Sequence, residues 1–174
     1  MKPKPQLGFS LIEVMVSLMI IAIGLLGIAK MQSQSIGNMK VSSSRSIAAI
    51  HAASMASAMH ANKAYWAAGL APANVKASGS VLSDTTLDGQ SVDCVAAGCT
   101  PVQLAAFDLR SWSAELARQL PAGTGGVTCS TAVGAVVSCS LSVNWNEKYI
   151  AINQTTVDST QQSATQALTL LVEP

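Results

Sequence analysis

Two kinds of apolar pattern divide the chain. From Phe9 to Ala29 the residues are apolar almost without a break, a run of 21 positions (29 − 9 + 1) interrupted only by Ser10, Glu13, Ser17, Gly24 and Gly27. At about 1.5 Å of rise per residue, a helix of that length spans roughly 30 Å, the thickness of bilayer hydrocarbon. Beyond the run, the apolar residues thin to Ile36, Met39, Ile47, Ile50, Met55, Met59 and Trp66. Most of these gaps are three, four, seven or eight, the spacing of one helical face. No proline falls between Phe9 and Trp66, and alanines fill many of the remaining positions. One continuous helix of about 55 residues, roughly 80 Å long, is predicted. A helix that long cannot bury itself. Its first half needs lipid or other helices, and its second half needs a globular partner.

The pattern then changes. Residues 67–107 read as irregular, punctuated by Gly69, Pro72, Gly79, Asp84, Gly89, Gly98 and Pro101. Asp108 is expected to cap a short helix over 108–120, with Leu109, Trp112, Leu116 and Leu120 on one face. Pro121 ends it, and Gly123-Thr-Gly-Gly126 is expected to turn. From Val137 to Asn146 odd positions are apolar and even positions polar, which predicts a half-buried antiparallel strand. Val127-Thr-Cys129-Ser alternates in the same way. Gly134 lies midway between Cys129 and Cys139, so a hairpin turning there sets the two cysteines opposite each other. Facing residues in a non-hydrogen-bonded pair have Cα atoms about 4.5 Å apart, within disulfide reach. Residues 147–166 read as a polar connection and Ala167–Val172 as a last strand. A meander of three or four strands over 126–173, packed on the second half of the long helix, is the simplest assembly.

Cysteine count and charge narrow the chemistry. Four cysteines, Cys94, Cys99, Cys129 and Cys139, all follow the apolar run. An even number in an exported domain argues for disulfides, with three connectivities open. Local spacing favours Cys94–Cys99 and Cys129–Cys139. Zinc fits poorly, because the wider interval exceeds the usual ligand spacing. The formal net charge is +1, which gives no electrostatic case for nucleic acid. Charged residues are 11% of the chain, against roughly 25% in ordinary soluble proteins. His51 and His60 are nine positions apart and point to different helix faces. Asp84, Asp88 and Asp93 are spaced too loosely for a calcium loop. No nucleophile–base arrangement and no phosphate loop is discernible. The reading is of a chain that is not an enzyme and carries no cofactor or metal.

Glu13 is the anomaly. A carboxylate inside an apolar span costs about 3 kcal/mol on insertion scales and calls for a function and a partner. A secretory signal peptide explains the basic leader (Lys2, Lys4), but its apolar stretch is shorter and is followed by a small-residue cleavage site. A plain membrane anchor explains the length but neither Glu13 nor the Gly8–Phe9 junction. The combination of basic leader, Gly8, Phe9, Glu13 and an unbroken apolar helix resembles the N-terminus of type IV pilins and pseudopilins. Within that group, Ile23-Gly-Leu-Leu-Gly27, Met31-Gln32 and Val143-Asn-Trp145 are similar to PilV-type minor pilins.

The resemblance implies an α+β type IV pilin fold, a long N-terminal helix on a small antiparallel sheet. It implies a leader over 1–8, a membrane-spanning and assembly half over 9–30, an amphipathic half over 31–66 and a globular head over 67–174. A dedicated peptidase would cut between Gly8 and Phe9 and methylate the new amine, leaving 174 − 8 = 166 residues. Glu13 would neutralise the Phe9 amine of a neighbouring subunit; its own amine, one turn away, is the intrachain alternative. The implied partners are the prepilin peptidase, the inner-membrane assembly machinery, other minor pilins, the major pilin and a tip adhesin. The implied location is the inner membrane, head in the periplasm, and then the pilus. A pseudopilin of a type II secretion system shares the same N-terminal pattern.

Overall fold

A computed structural model describes residues 8–130, 136–148 and 163–174. The chain divides into two compact units, Met1–Lys40 and Val41–Pro174. Helix α1, Leu11–Ala61, runs from the first into the second.

In the first unit every large apolar side chain from Phe9 to Met39 is exposed. Ser10 starts the helix: its carbonyl accepts the N–H of Glu13 at 3.0 Å and of Val14 at 3.3 Å. Glu13 thus sits in the first turn, where the helix dipole favours a negative charge. No charged residue follows until Lys30. This stretch is long and apolar enough to cross a membrane.

The second unit is built on a five-stranded antiparallel sheet in the order β2-β1-β3-β4-β5. Its strands are β1 (Asn74–Ser78), β2 (Val81–Leu82), β3 (Thr124–Cys129), β4 (Cys139–Lys148) and β5 (Ser163–Val172). Helix α1 and helix α4 (Pro101–Gln119) supply the other side of one core, with the single-turn helices α2 (Lys63–Trp66) and α3 (Thr85–Asp88) at its margins. Alternate residues Val127, Cys129, Cys139, Leu141, Val143 and Trp145 face inward, as the period-two pattern requires. The fold is α+β, with a long N-terminal apolar helix and a small antiparallel sheet, and it matches the type IV pilin fold.

Several boundaries differ from expectation. The long helix does not run on to Trp66. It breaks at Asn62, a buried residue whose Nδ2 donates to the Pro101 carbonyl at 2.8 Å, and α2 follows. The buried stripe of α1 is Ala48, Ala52, Met55 and Met59, spaced four, three and four, whereas Ile36, Met39 and Ile50 are exposed. Met55 and Met59 fall on the inner face as the spacing predicts, but Ala48 and Ala52 rather than Ile50 complete it, because small alanines let the helix approach the core closely.

The segment 67–107 is not wholly irregular: it contains β1, β2 and α3. In β1 the inward residues are Val75 and Ala77, a strand too short and too polar between them to stand out. Asp108 caps nothing. Helix α4 begins seven residues earlier, with Thr100 at the N-cap, Pro101 in the first turn and Gln103 Oε1 accepting the Thr100 N–H at 2.9 Å. Pro101, read as a breaker, is a starter here, since its missing N–H is not needed in a first turn.

Gly123–Gly126 is not a turn either, because Thr124 opens β3. Gly125 is bare for a packing reason: a Cβ there would overlap Cζ3 and Cη2 of Trp112, whose ring edge sits against the strand at this point. Lastly, Glu147, Lys148 and 163–166 belong to strands rather than to a connection, since Lys148 pairs with Ser163 and Trp145 with Gln166. Gly134, the expected turn of the hairpin, and most of the expected 147–166 connection lie outside the described residues.

Candidate assembly site

The candidate site begins at the Gly8–Phe9 junction. Gly8, Phe9 and Ser10 precede the helix and are exposed, Phe9 by 86%. A Cβ at Gly8 would meet nothing within 4 Å. The fold itself therefore places no steric demand for glycine there. Glu13 follows one turn later, with its carboxylate exposed. Ser17 Oγ donates to the Glu13 carbonyl at 2.7 Å, so the serine's polarity is absorbed by the helix backbone. The stretch joins an accessible peptide bond, a carboxylate in the first turn, and an apolar surface that water cannot cover without cost.

In the second unit the structure joins Cys94 to Cys99 and Cys129 to Cys139. The second bridge links directly opposed residues of β3 and β4, with Cα atoms 4.0 Å apart. It is buried in the core, whereas the Cys94–Cys99 loop lies at the surface with Val95 exposed.

The three loop aspartates are occupied locally. Asp84 caps α3, its Oδ1 accepting the Leu87 N–H at 2.9 Å. Asp88 Oδ1 accepts the Leu82 N–H at 3.0 Å, and the Asp88 carbonyl accepts from Arg110. Asp93 Oδ1 accepts the Val95 N–H at 2.9 Å. His51 offers its backbone carbonyl to Trp112 Nε1 at 2.9 Å, and His60 is exposed on the same helix. Among the described residues no three His, Cys, Asp or Glu side chains converge as a metal site would require.

One polar cluster escaped the sequence reading. Glu147 has a side chain only 1% exposed and receives Arg45 Nε at 3.1 Å and a second Arg45 nitrogen at 3.2 Å. Trp145 Nε1 adds a third donor at 3.1 Å. The Arg45 hydrogen bonds hold the Glu147 carboxyl below the usual carboxylate range despite its burial, with Trp145 and the guanidinium charge helping. The parity of β4 carried a signal: 141, 143 and 145 point inward, so 147 does too. The identity of the partner, 102 positions away, had none. Elsewhere, burial pushes Asp108 from its ordinary 3.8 up to about 6. Burial, and then the charge of Asp84, push the Tyr65 phenol up to about 12.

Residues 3–29 match a family model described as the prokaryotic N-terminal methylation motif. The match covers Lys4, the Gly8–Phe9 junction, Glu13 and the apolar run to Ala29, and nothing beyond. It supports a type IV pilin-like family and indicates a type IV pilin or pseudopilin, a group of structural subunits rather than enzymes. No curated protein and no solved structure matches the chain.

Proposed function

We propose that this chain is a minor type IV pilin, a low-abundance structural subunit that helps start pilus assembly and resides in the pilus or its tip complex. The observation that carries the reading is the methylation motif over 3–29, with its exposed Gly8–Phe9 bond and its carboxylate in the first helical turn. The mechanism is packing and charge neutralisation. Prepilin peptidase cuts after Gly8 and methylates the amine of Phe9. The apolar helix holds the subunit in the inner membrane with its head in the periplasm. On entering the growing filament the apolar surface moves from lipid to the helices of neighbouring pilins. Glu13 then meets the Phe9 amine of a neighbour, because a lone carboxylate in an apolar bundle is costly and a paired one is much less so. The two disulfides brace a head that operates outside the cytoplasm. A tip adhesin is among the partners this role implies.

The second reading is a minor pseudopilin of a type II secretion system. The N-terminal motif is common to both, and the PilV-like Ile23–Gly27 and Met31-Gln32 favour the pilus. Mass spectrometry of filaments sheared from cells separates them. The expected result is an N-methylated peptide beginning at Phe9 in the sheared fraction. A chain processed at Phe9 but retained in the envelope moves the pseudopilin ahead. A chain unprocessed or cut elsewhere overturns both.

A further inference from the structure

The sheet has two unlike edges. At one end of the strand order β2 is two residues long. At the other, β5 runs ten residues and contains no proline and no charged side chain. Short length, charge and proline are the usual devices by which an edge strand refuses a further strand, and β5 has none of them. Among the described residues no strand pairs with its outer side.

The direction of its free backbone groups follows from the hydrogen bonds further in. The Ser130 N–H donates to the Ser138 carbonyl at 2.8 Å, whereas the Cys129 N–H turns away from β4 to Ala73 at 3.2 Å. The Asn146 N–H donates to the Pro121 carbonyl at 2.8 Å, toward the β3 side. Even-numbered residues of β4 therefore bond toward β3 and odd-numbered ones toward β5, since the pattern alternates along an antiparallel ladder. In register, Val143 faces Leu168 and Leu141 faces Leu170. The even-numbered residues of β5 are thus taken up by β4. Thr165, Ala167, Thr169 and Leu171 turn their N–H and C=O groups outward.

We propose that this edge of β5 receives an extended strand from a different subunit of the same assembly. Evenly spaced outward donors and acceptors are complementary to an extended backbone. The side chains at the margin state the chemistry of the strand. Leu168 and Leu170 lie on the inner face and are only partly covered by the core, so the incoming strand places apolar side chains at alternate positions against them. On the outer face Thr165, Ala167 and Thr169 are small, and Leu171 is 78% exposed. The donor is uncharged across the contact, because β5 offers no charge to pair with. A second copy of this chain is the weaker occupant. Two β5 edges joined antiparallel make a two-fold contact, which closes on itself, while filament neighbours are related by head-to-tail contacts. The choice of a different subunit rests on the pilin reading above; the open edge does not.

Hydrogen exchange tests the proposal on the full-length chain. The peptide covering β5 is followed in detergent-purified protein and in sheared filaments. The expected result is fast exchange of about half its amides in micelles and at least tenfold slower exchange of that half in filaments. Unchanged exchange in the assembly overturns the proposal. Protection that grows when the purified chain alone is concentrated means that a second copy fills the edge, which overturns the named partner. Ala167→Pro is the companion variant: it deletes an outward N–H and spares the β4 ladder. It is expected to keep both disulfides and to fall below a tenth of wild-type recovery in the assembly. Wild-type recovery of folded Ala167→Pro overturns the proposal. If the wild-type chain is missing from sheared filaments, the pilus reading has failed. The same exchange comparison is then made on the cross-linked envelope complex, where protection of β5 supports the edge and its absence overturns it.

Discussion

Arg45 and Glu147, 102 positions apart in sequence, meet in a two-point ion pair that ties the long helix to the fourth strand of the sheet within the head. The carboxylate is sealed off at 1% exposure while the guanidinium stays 55% exposed. The pair therefore avoids the full cost of burying two charges, and Trp145 Nε1 satisfies a further lone pair of Glu147.

Removing one partner leaves the other stranded. Arg45→Ala is expected to destabilise the head by roughly 2 kcal/mol, less than for a fully buried pair because water reaches Arg45. The folded Glu147 carboxyl is held below its ordinary 4.5, so the unfolded chain takes up the proton first. Its stabilisation is present above about pH 4.5 and is lost as the pH falls through the lower folded value. Thermal unfolding of wild type and Glu147→Gln from pH 7 to pH 3 checks this: the gap between them should narrow at the acid end. A gap that widens there contradicts the pairing.

Asp108 works in the opposite sense. Burial raises its pKa from 3.8 to about 6, so the folded state holds the proton more tightly than the unfolded one. Stability is favoured by this group below pH 3.8, and the benefit is lost as the pH rises toward 6. At pH 7 Asp108→Asn should stabilise the head by about 1–2 kcal/mol after allowing for solvent screening. At pH 3.5 the variant should gain little. Equal gains at both values would show that ionisation is not the cause.

Gly125→Ala tests how Trp112 is seated. A methyl group there overlaps the indole and crowds Leu116 Cδ1, and the indole is held in place by its bond to the His51 carbonyl. A loss of about 1–3 kcal/mol is expected, the range for overpacking a close-fitted core. Near-ultraviolet circular dichroism should report the displaced indole. An unchanged spectrum and unfolding temperature would mean that the strand yields instead.

For assembly, the informative variant is Glu13→Ala. Cleavage after Gly8 should proceed close to normally, because the junction is exposed and lies before the helix begins. Incorporation into filaments should fall at least tenfold, which is about 1.4 kcal/mol by the usual relation between free energy and an equilibrium constant. Quantitative mass spectrometry of sheared pili against the membrane fraction measures both steps. Normal incorporation would sink the charge-pairing mechanism.

These parts were unequally legible from sequence. The apolar helix, Glu13 and the strand from Cys139 declare themselves because each is a local pattern: an unbroken apolar run, a charge within it, a strict alternation. The start of α4 is not legible because Pro101 has two meanings, and only the Thr100 and Gln103 capping contacts choose between them. β1 is hidden because five residues with Lys76 at the centre give too little period to see. Gly125 in a strand interior has the sequence signature of a turn, and only the proximity of the Trp112 ring accounts for it. Glu147 could be assigned an inward direction but not a partner, because ion pairs between distant elements leave no trace in spacing.

The bridge between Cys129 and Cys139 also has a mechanical meaning. It joins two neighbouring strands at directly opposed residues. Tension travelling along the chain from α1 toward β5 would cross through the two sulfurs and bypass the residues between them. Those residues carry no load, and the head cannot lengthen by paying them out. A chain pulled from α1 while the sheet beyond Cys139 is held is thus inextensible at this point, whatever happens to the hydrogen bonds around it.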